Sequence, residues 1–175
     1  IEKGLVKPFL MGKDVHRYET ITAKNVVIFP YRIFNGKAEL MTQSFIRDHY
    51  PQGWKYLERN KHDLAEREHG KMRGQQYYAY IYPKNLTEFE AVKIMTPEIA
   101  LGCQMTLDDQ GIFYHTTKVY SFVFKESVKQ SSKYLLGLLN SKVLWFFLSS
   151  TGYVLRGGYY TFKTDYLKPF PIAES

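Results

Sequence analysis

Ser131–Thr151, SSKYLLGLLNSKVLWFFLSST, is the longest strongly apolar stretch of the chain, and its reading decides the fold class. On a 3.6-residue period Gln130, Lys133, Gly137, Asn140 and Ser141 fall on one side. Tyr134, Leu135, Leu138, Leu139, Val143 and Phe146 fill the rest, and Leu144 and Leu148 continue the polar side. The second half is therefore apolar all round, and such a helix must be enclosed. This predicts one core helix over 131–151, with Leu135, Leu139 and Phe146 packing inward and Asn140 and Ser141 capping or bracing neighbouring backbone. The apolar run is broken by Asn140 and Lys142 and is too short to span a bilayer, so no membrane partner is expected.

Working outward, short strands dominate. Residues 1–20 read as an extended entry with a turn at Met11–Asp14. Asn25–Tyr31 is a β-branched, aromatic strand that Pro30 ends or confines to an edge. Phe34–Lys37 is a hairpin turn, so Ala38–Thr42 should return alongside. From Gln52 the pattern turns helical: Trp54, Leu57, Leu64 and Ala65 recur at helical spacing under a charged face, with Asp63 and Arg67 placed to pair and Gly70 as C-cap. Strands are then expected at Tyr77–Tyr82, Phe89–Thr96 and Val119–Phe124. A hairpin of Gly102–Thr106 with Gly111–His115 is expected around Asp108–Gly111. A glycine-bearing return, Leu155–Phe162, and a proline-rich tail close the chain. Many short strands with one early and one late helix make the class α+β.

With 175 residues the chain fits one domain, 1–175, or one domain with an appendage. The single cysteine, Cys103, rules out an internal disulfide framework and suits a reducing compartment, so a cytoplasmic location is expected. Because it opens on Ile1 rather than Met, we expect a piece of a longer protein. The net charge is +7, and aromatic residues make up 17%, which supplies rings for interfaces and base stacking as well as cores. Charge is uneven: residues 1–109 carry 16 Lys and Arg against 14 Asp and Glu, whereas residues 110–175 carry 8 against 3. A basic excess of this kind points to a polyanion, nucleic acid being the usual one.

Catalytic chemistry finds little footing. His16, His49, His62, His69 and His115 are scattered, and no second cysteine completes a zinc site, so no metal ligand and no catalytic residue is assigned. Glu88, Glu90 and Lys93 imitate a nuclease cluster without its preceding Asp. Phe29-Pro30-Tyr31 lacks the leading Asn or Asp and the second proline of an amino-methyltransferase motif, and reads as a strand end. What remains is a binding surface. Lys71 and Arg73 sit between glycines, Lys118 lies beside a turn, and Arg156 precedes Gly157-Gly158-Tyr159-Tyr160, with Lys163 just after. Glycine lets backbone approach a phosphate and the cations neutralise it, so Lys71, Arg73, Lys118, Arg156, Tyr159, Tyr160 and Lys163 are the candidate DNA contacts.

The order of motifs resembles one family. Lys7–Val15 with Arg17-Tyr18 resembles the opening of the TaqI-like C-terminal specificity domains, the target-recognition parts of adenine-specific DNA methyltransferases and of fused type II restriction–modification enzymes. Ile28–Tyr31, Tyr56-Leu57 ahead of Leu64–Arg67, and Lys93-Ile94 with Pro97–Ala100 agree in the same order. So do Tyr134–Lys142, Gly157–Tyr160 and Leu167–Ile172. The resemblance implies a bent mixed β-sheet with flanking helices, similar to the specificity subunits of type I restriction systems. It implies a domain that reads double-stranded DNA and presents an adenine to a methyltransferase domain. That domain, with its S-adenosylmethionine, would lie N-terminal in the parent chain, and no cofactor is expected in this one. Two other classes compete: a protein-interaction domain with incidental charge, and a small nuclease.

Overall fold

Residues 1–172 are described by the structure, a computed structural model; residues 173–175, the end of the expected 1–175 domain, lie outside the described residues. The class is α+β, with the strands distributed over several small sheets. By contacts the chain divides into two units. The first takes Ile1–Lys7 and Val26–Phe89, and the second Pro8–Asn25 and the chain from Glu90 onward.

In the first unit β1 (Val6–Leu10) begins beside β2 (Asn25–Ile28), and the Phe29 N–H donates to the Leu5 carbonyl at 2.8 Å. β3 (Tyr31–Phe34) and β4 (Lys37–Leu40) form an antiparallel hairpin. Asn35 and Gly36, both at positive φ (49° and 70°), supply the backbone a two-residue hairpin turn requires. The return strand ends at Leu40 because Thr42 caps a helix that periodicity missed, α1 (Gln43–His49), its Oγ1 accepting the Phe45 N–H at 3.2 Å. Pro51 then opens α2 (Pro51–Arg59) at a position where its missing N–H costs nothing.

The expected charged helix divides at Asn60 into α2 and α3 (Lys61–Ala65), followed by a single turn, α4 (Arg67–Gly70), with Glu68 and His69 at positive φ. Arg67 does not pair with Asp63. It turns inward and donates to the carbonyls of Leu64, Tyr77 and Ala79 at 2.7, 2.7 and 2.9 Å. That contact explains why Tyr77–Tyr82 is no strand: a guanidinium, not a neighbouring ladder, satisfies its carbonyls. Its rings pack separately, Tyr78 donating to the Met41 carbonyl and Tyr80 to the Ile28 carbonyl, each at 2.7 Å. Leu5, Ile46, Trp54 and Leu57 fill the core between them.

The second unit is built on β5 (Lys93–Pro97), every residue of which is buried. After β6 (Ile99–Ala100), β7 (Thr106–Asp108) and β8 (Tyr114–His115) comes β9 (Val119–Val123), and β5 lies between β7 and β9, antiparallel to both. The expected hairpin is absent: β7 joins β5, whereas β8 pairs parallel with the end of β1 through Phe9↔Tyr114 and Leu10↔His115. The connection is closed locally instead. Asp108 accepts the N–H groups of Ile112 and Phe113 at 3.2 and 3.0 Å, and Gly111 (φ 65°) packs on the backbone of Glu90, where no Cβ would fit.

The 131–151 segment is two helices, α5 (Ser132–Leu139) and α6 (Lys142–Thr151), separated at Asn140-Ser141. Ser131 caps the first and Ser141 the second, each Oγ accepting an N–H three residues on at 3.2 Å. The break resets the helical phase. Leu135 and Leu139 face inward from α5, but on α6 the inward pair is Leu144 and Leu148, both fully buried. Phe146, expected in the core, is 73% exposed for that reason. A loop returns through β10 (Tyr160–Thr161), antiparallel to β6, into the short α7 (Thr164–Leu167). Ile94, Met105, Leu144, Leu148 and Phe162 form the centre of this core.

His115 ends β8 with both ring nitrogens engaged, Nδ1 with the Thr116 carbonyl at 3.0 Å and Nε2 with Ser121 Oγ at 2.6 Å. A neutral ring satisfies both, and burial holds its pKa below the ordinary 6.5. Below that pH the unfolded chain takes a proton the folded one resists, so stability falls with acidification. Thermal melting followed from pH 7.5 to 5 should show that decline, and His115→Gln should flatten it.

Candidate nucleic-acid interface

Four separated segments converge on one cleft of about 470 Å³ in the second unit, lined by Lys13, His16, Glu98, Gln104, Lys118 and Tyr159 among others. Glu98, between β5 and β6, is the junction. Its N–H donates to the Lys118 carbonyl and its own carbonyl accepts the Phe162 N–H, both at 2.8 Å. These bonds hold the start of β9 on one side and the return loop on the other. Gly12 sits against the same Lys118 carbonyl, where an added Cβ would lie 3.0 Å away, and this close approach carries Lys13 to the cleft.

The return loop is closed by the Leu155 N–H donating to the Tyr159 carbonyl at 2.6 Å and the Gly158 N–H to the Leu155 carbonyl at 3.2 Å. Gly157 and Gly158 supply positive φ at the tip, 84° and 80°. Arg156, at that tip, is exposed and makes no ion pair or side-chain hydrogen bond among the described residues. Lys163, exposed just before α7, is equally without a partner among them. Tyr159 is 41% exposed at the cleft. Tyr160 turns inward, its ring edge-on to Trp145 at 5.0 Å, which is packing rather than display.

Lys118 is 68% exposed and bonds Glu98 at 2.8 Å, and that carboxylate raises its pKa. A phosphate would have to compete with Glu98 for it. Lys71 and Arg73 belong to the first unit and are tied as well. Arg73 forks onto both oxygens of Glu66 at 2.7 and 2.6 Å. Lys71 stands over the Tyr82 ring at 4.3 Å and 3.7 Å from Glu68.

Of the seven expected contacts, then, Lys118 and Tyr159 share the cleft, Arg156 and Lys163 flank it in sequence, Tyr160 packs, and Lys71 and Arg73 brace their own loop. Lys13, His16 and Gln104 line the same cleft and were not among the seven. Lys13 carries the same signal as Lys71, a lysine after a turn glycine, whereas Gln104 has none. Among the described residues no three His, Cys, Asp or Glu side chains gather as a metal would need, and no helix is long and apolar enough to cross a membrane.

The family model described as TaqI-like C-terminal specificity domain matches residues 7–172, nearly the whole chain. No curated protein matches.

Proposed function

We propose, since the chain belongs to the TaqI-like C-terminal specificity domain family, that it is the double-stranded DNA target-recognition module of a restriction–modification enzyme. In this reading it catalyses nothing by itself. It docks on cytoplasmic DNA and presents an adenine to an S-adenosylmethionine-dependent methyltransferase domain of the same parent, which must extrude that base to reach its amino group. The observation that carries the reading, beside the family, is the convergence of Lys13, Lys118 and the ring of Tyr159 on one cleft, with Arg156 unpartnered among the described residues on the adjoining loop. Cations there suit phosphates, and the exposed ring suits sugar or base faces.

Duplex affinity, measured by fluorescence anisotropy from 50 to 200 mM salt, should fall along a straight log–log line, each neutralised phosphate contributing about −0.9 to the slope. Lys13→Ala and Arg156→Ala should each make the slope shallower by about one, and Lys118→Ala, whose ammonium is already held by Glu98, by less. Arg73→Ala, which removes a cation already held by Glu66, should move it less. Salt-independent or absent duplex binding would overturn the proposal.

A second reading, protein docking, is favoured by α6, where Val143 and Phe146 stand 63% and 73% exposed. It is compatible with the first, because a specificity module must also meet the domain that performs the chemistry. Phe146→Ser should then leave duplex affinity unchanged.

A further inference from the structure

The basic loop of the first unit opens a cleft of about 600 Å³, lined by Gln43, Lys61, Gln75, Gln76 and Tyr78 with the Thr42 and Ser44 hydroxyls. No carboxylate lines it, and Lys61, held over the Tyr77 ring at 5.4 Å, makes no ion pair among the described residues. Three carboxamides in one open, polar cleft are unlike a small-molecule pocket, which is mostly apolar and encloses its ligand. They match the edge of a base pair, because an amide offers one donor and one acceptor side by side.

The Gln43 amide and the backbone that carries the other two are also held in place. Gln43 opens α1, and its Nε2 donates to the Gln75 carbonyl at 2.5 Å, leaving its Oε1 and one N–H unused among the described residues. The Gln76 carbonyl accepts the Ala79 N–H at 2.9 Å, fixing the backbone from which that side chain projects. Gly74, at φ 124°, gives the chain a conformation other residues avoid just before Gln75. Upstream, Arg73 lies against Gly70 (φ 84°) and is clamped to Glu66. The cations that sequence reasoning singled out here thus act as supports for the glutamines beside them.

We infer that Gln43, Gln75 and Gln76 form a base-reading site for duplex DNA, with adenine the preferred partner because a glutamine amide pairs with its N6 and N7 together. The inference rests on the DNA-recognition reading above and deepens it by naming where sequence is read. Lys61 is the cation at that site suited to an adjoining phosphate.

The test is selection of the 175-residue chain on a pool of duplexes with a randomised core, at low salt, followed by affinity measurements on single-base variants of the enriched sequence. Gln76→Ala and Gln43→Ala should each relax discrimination at one or two base pairs by roughly tenfold or more, while affinity for an unrelated duplex and its salt slope stay as in the unsubstituted chain. Gln76→Glu should switch the preference at its position from adenine to cytosine, whose N4 amine donates to a carboxylate. That reversal distinguishes base reading from a structural role. An enriched sequence that stays the same in all three variants overturns the inference and leaves the DNA-recognition reading standing, as does a uniform loss of affinity without any change of preference. No salt-dependent duplex binding by the unsubstituted chain overturns both.

Discussion

Asp108→Ala should destabilise the second unit by about 3–5 kcal/mol, the usual cost of removing one partner from a buried ion pair. Lys93, in the middle of β5, is fully buried, and its Nζ lies 2.6 Å from Asp108 Oδ2 on the paired strand. Asp108 does more than balance that charge, because it also accepts the N–H groups of Ile112 and Phe113. Removing it takes the Asp108 carboxylate away from the buried ammonium and frees a loop that has no hairpin ladder of its own. Lys93→Met should cost less, since the carboxylate keeps its two backbone donors and the methionine fills the volume. The sign of the pH effect follows from burial, which holds the pKa of Lys93 below the ordinary 10.5. Without Asp108 that depression deepens, and between the lowered folded pKa and 10.5 the unfolded chain binds the proton more readily. Asp108→Ala should therefore recover stability as pH rises through the alkaline range. Urea denaturation at pH 7 and pH 9.5 checks both the order of the two variants and the direction of the recovery. An Asp108→Ala protein as stable as the original would sink the argument.

Asn140→Ala should cost about 2 kcal/mol, because the buried Met105 N–H loses its acceptor and an unsatisfied group costs about 1–3 kcal/mol, while the Met105 carbonyl keeps the Tyr18 N–H at 3.0 Å. The side chain is 2% exposed. Its Oδ1 accepts the Met105 N–H and its Nδ2 donates to the Met105 carbonyl, both at 2.9 Å. Met105 itself is fully buried, so water cannot take over. Asn140→Asp is the sharper variant: it keeps the acceptor, loses the donor and buries a charge. Hydrogen exchange should show the Met105 amide deprotected in Asn140→Ala while the amide of Ile94, at the centre of β5, stays protected.

Asn140 also marks how far sequence reads the fold. Periodicity identified an apolar segment that enters a core, and Leu135 and Leu139 follow it. It placed Phe146 wrongly because it assumed one continuous helix, and the phase reset depends on an amide bonding to a residue 35 positions away. The Asn35-Gly36 turn was legible because its chemistry is local. Arg67 was not: its helical spacing offered Asp63, and only the folded chain supplied the carbonyls of Tyr77 and Ala79. The candidate sites follow the same rule. Turn glycines beside cations were visible, but whether a cation is displayed or held depends on partners such as Glu66 and Glu98, which sequence does not bring near.

The division of the chain into two units, each made of two separated segments, has a consequence for biosynthesis. The first unit possesses all its residues once Phe89 has been made. Pro8–Asn25 must wait, because Leu10 finds its partner only at His115, about a hundred residues further along. At about 5–20 residues per second that interval is roughly 5–20 s, during which Leu10 and Val15, buried in the finished protein, are without their core. Synthesis is thus the period when this segment most needs shelter, and a chaperone acting on the nascent chain would be expected to bind there.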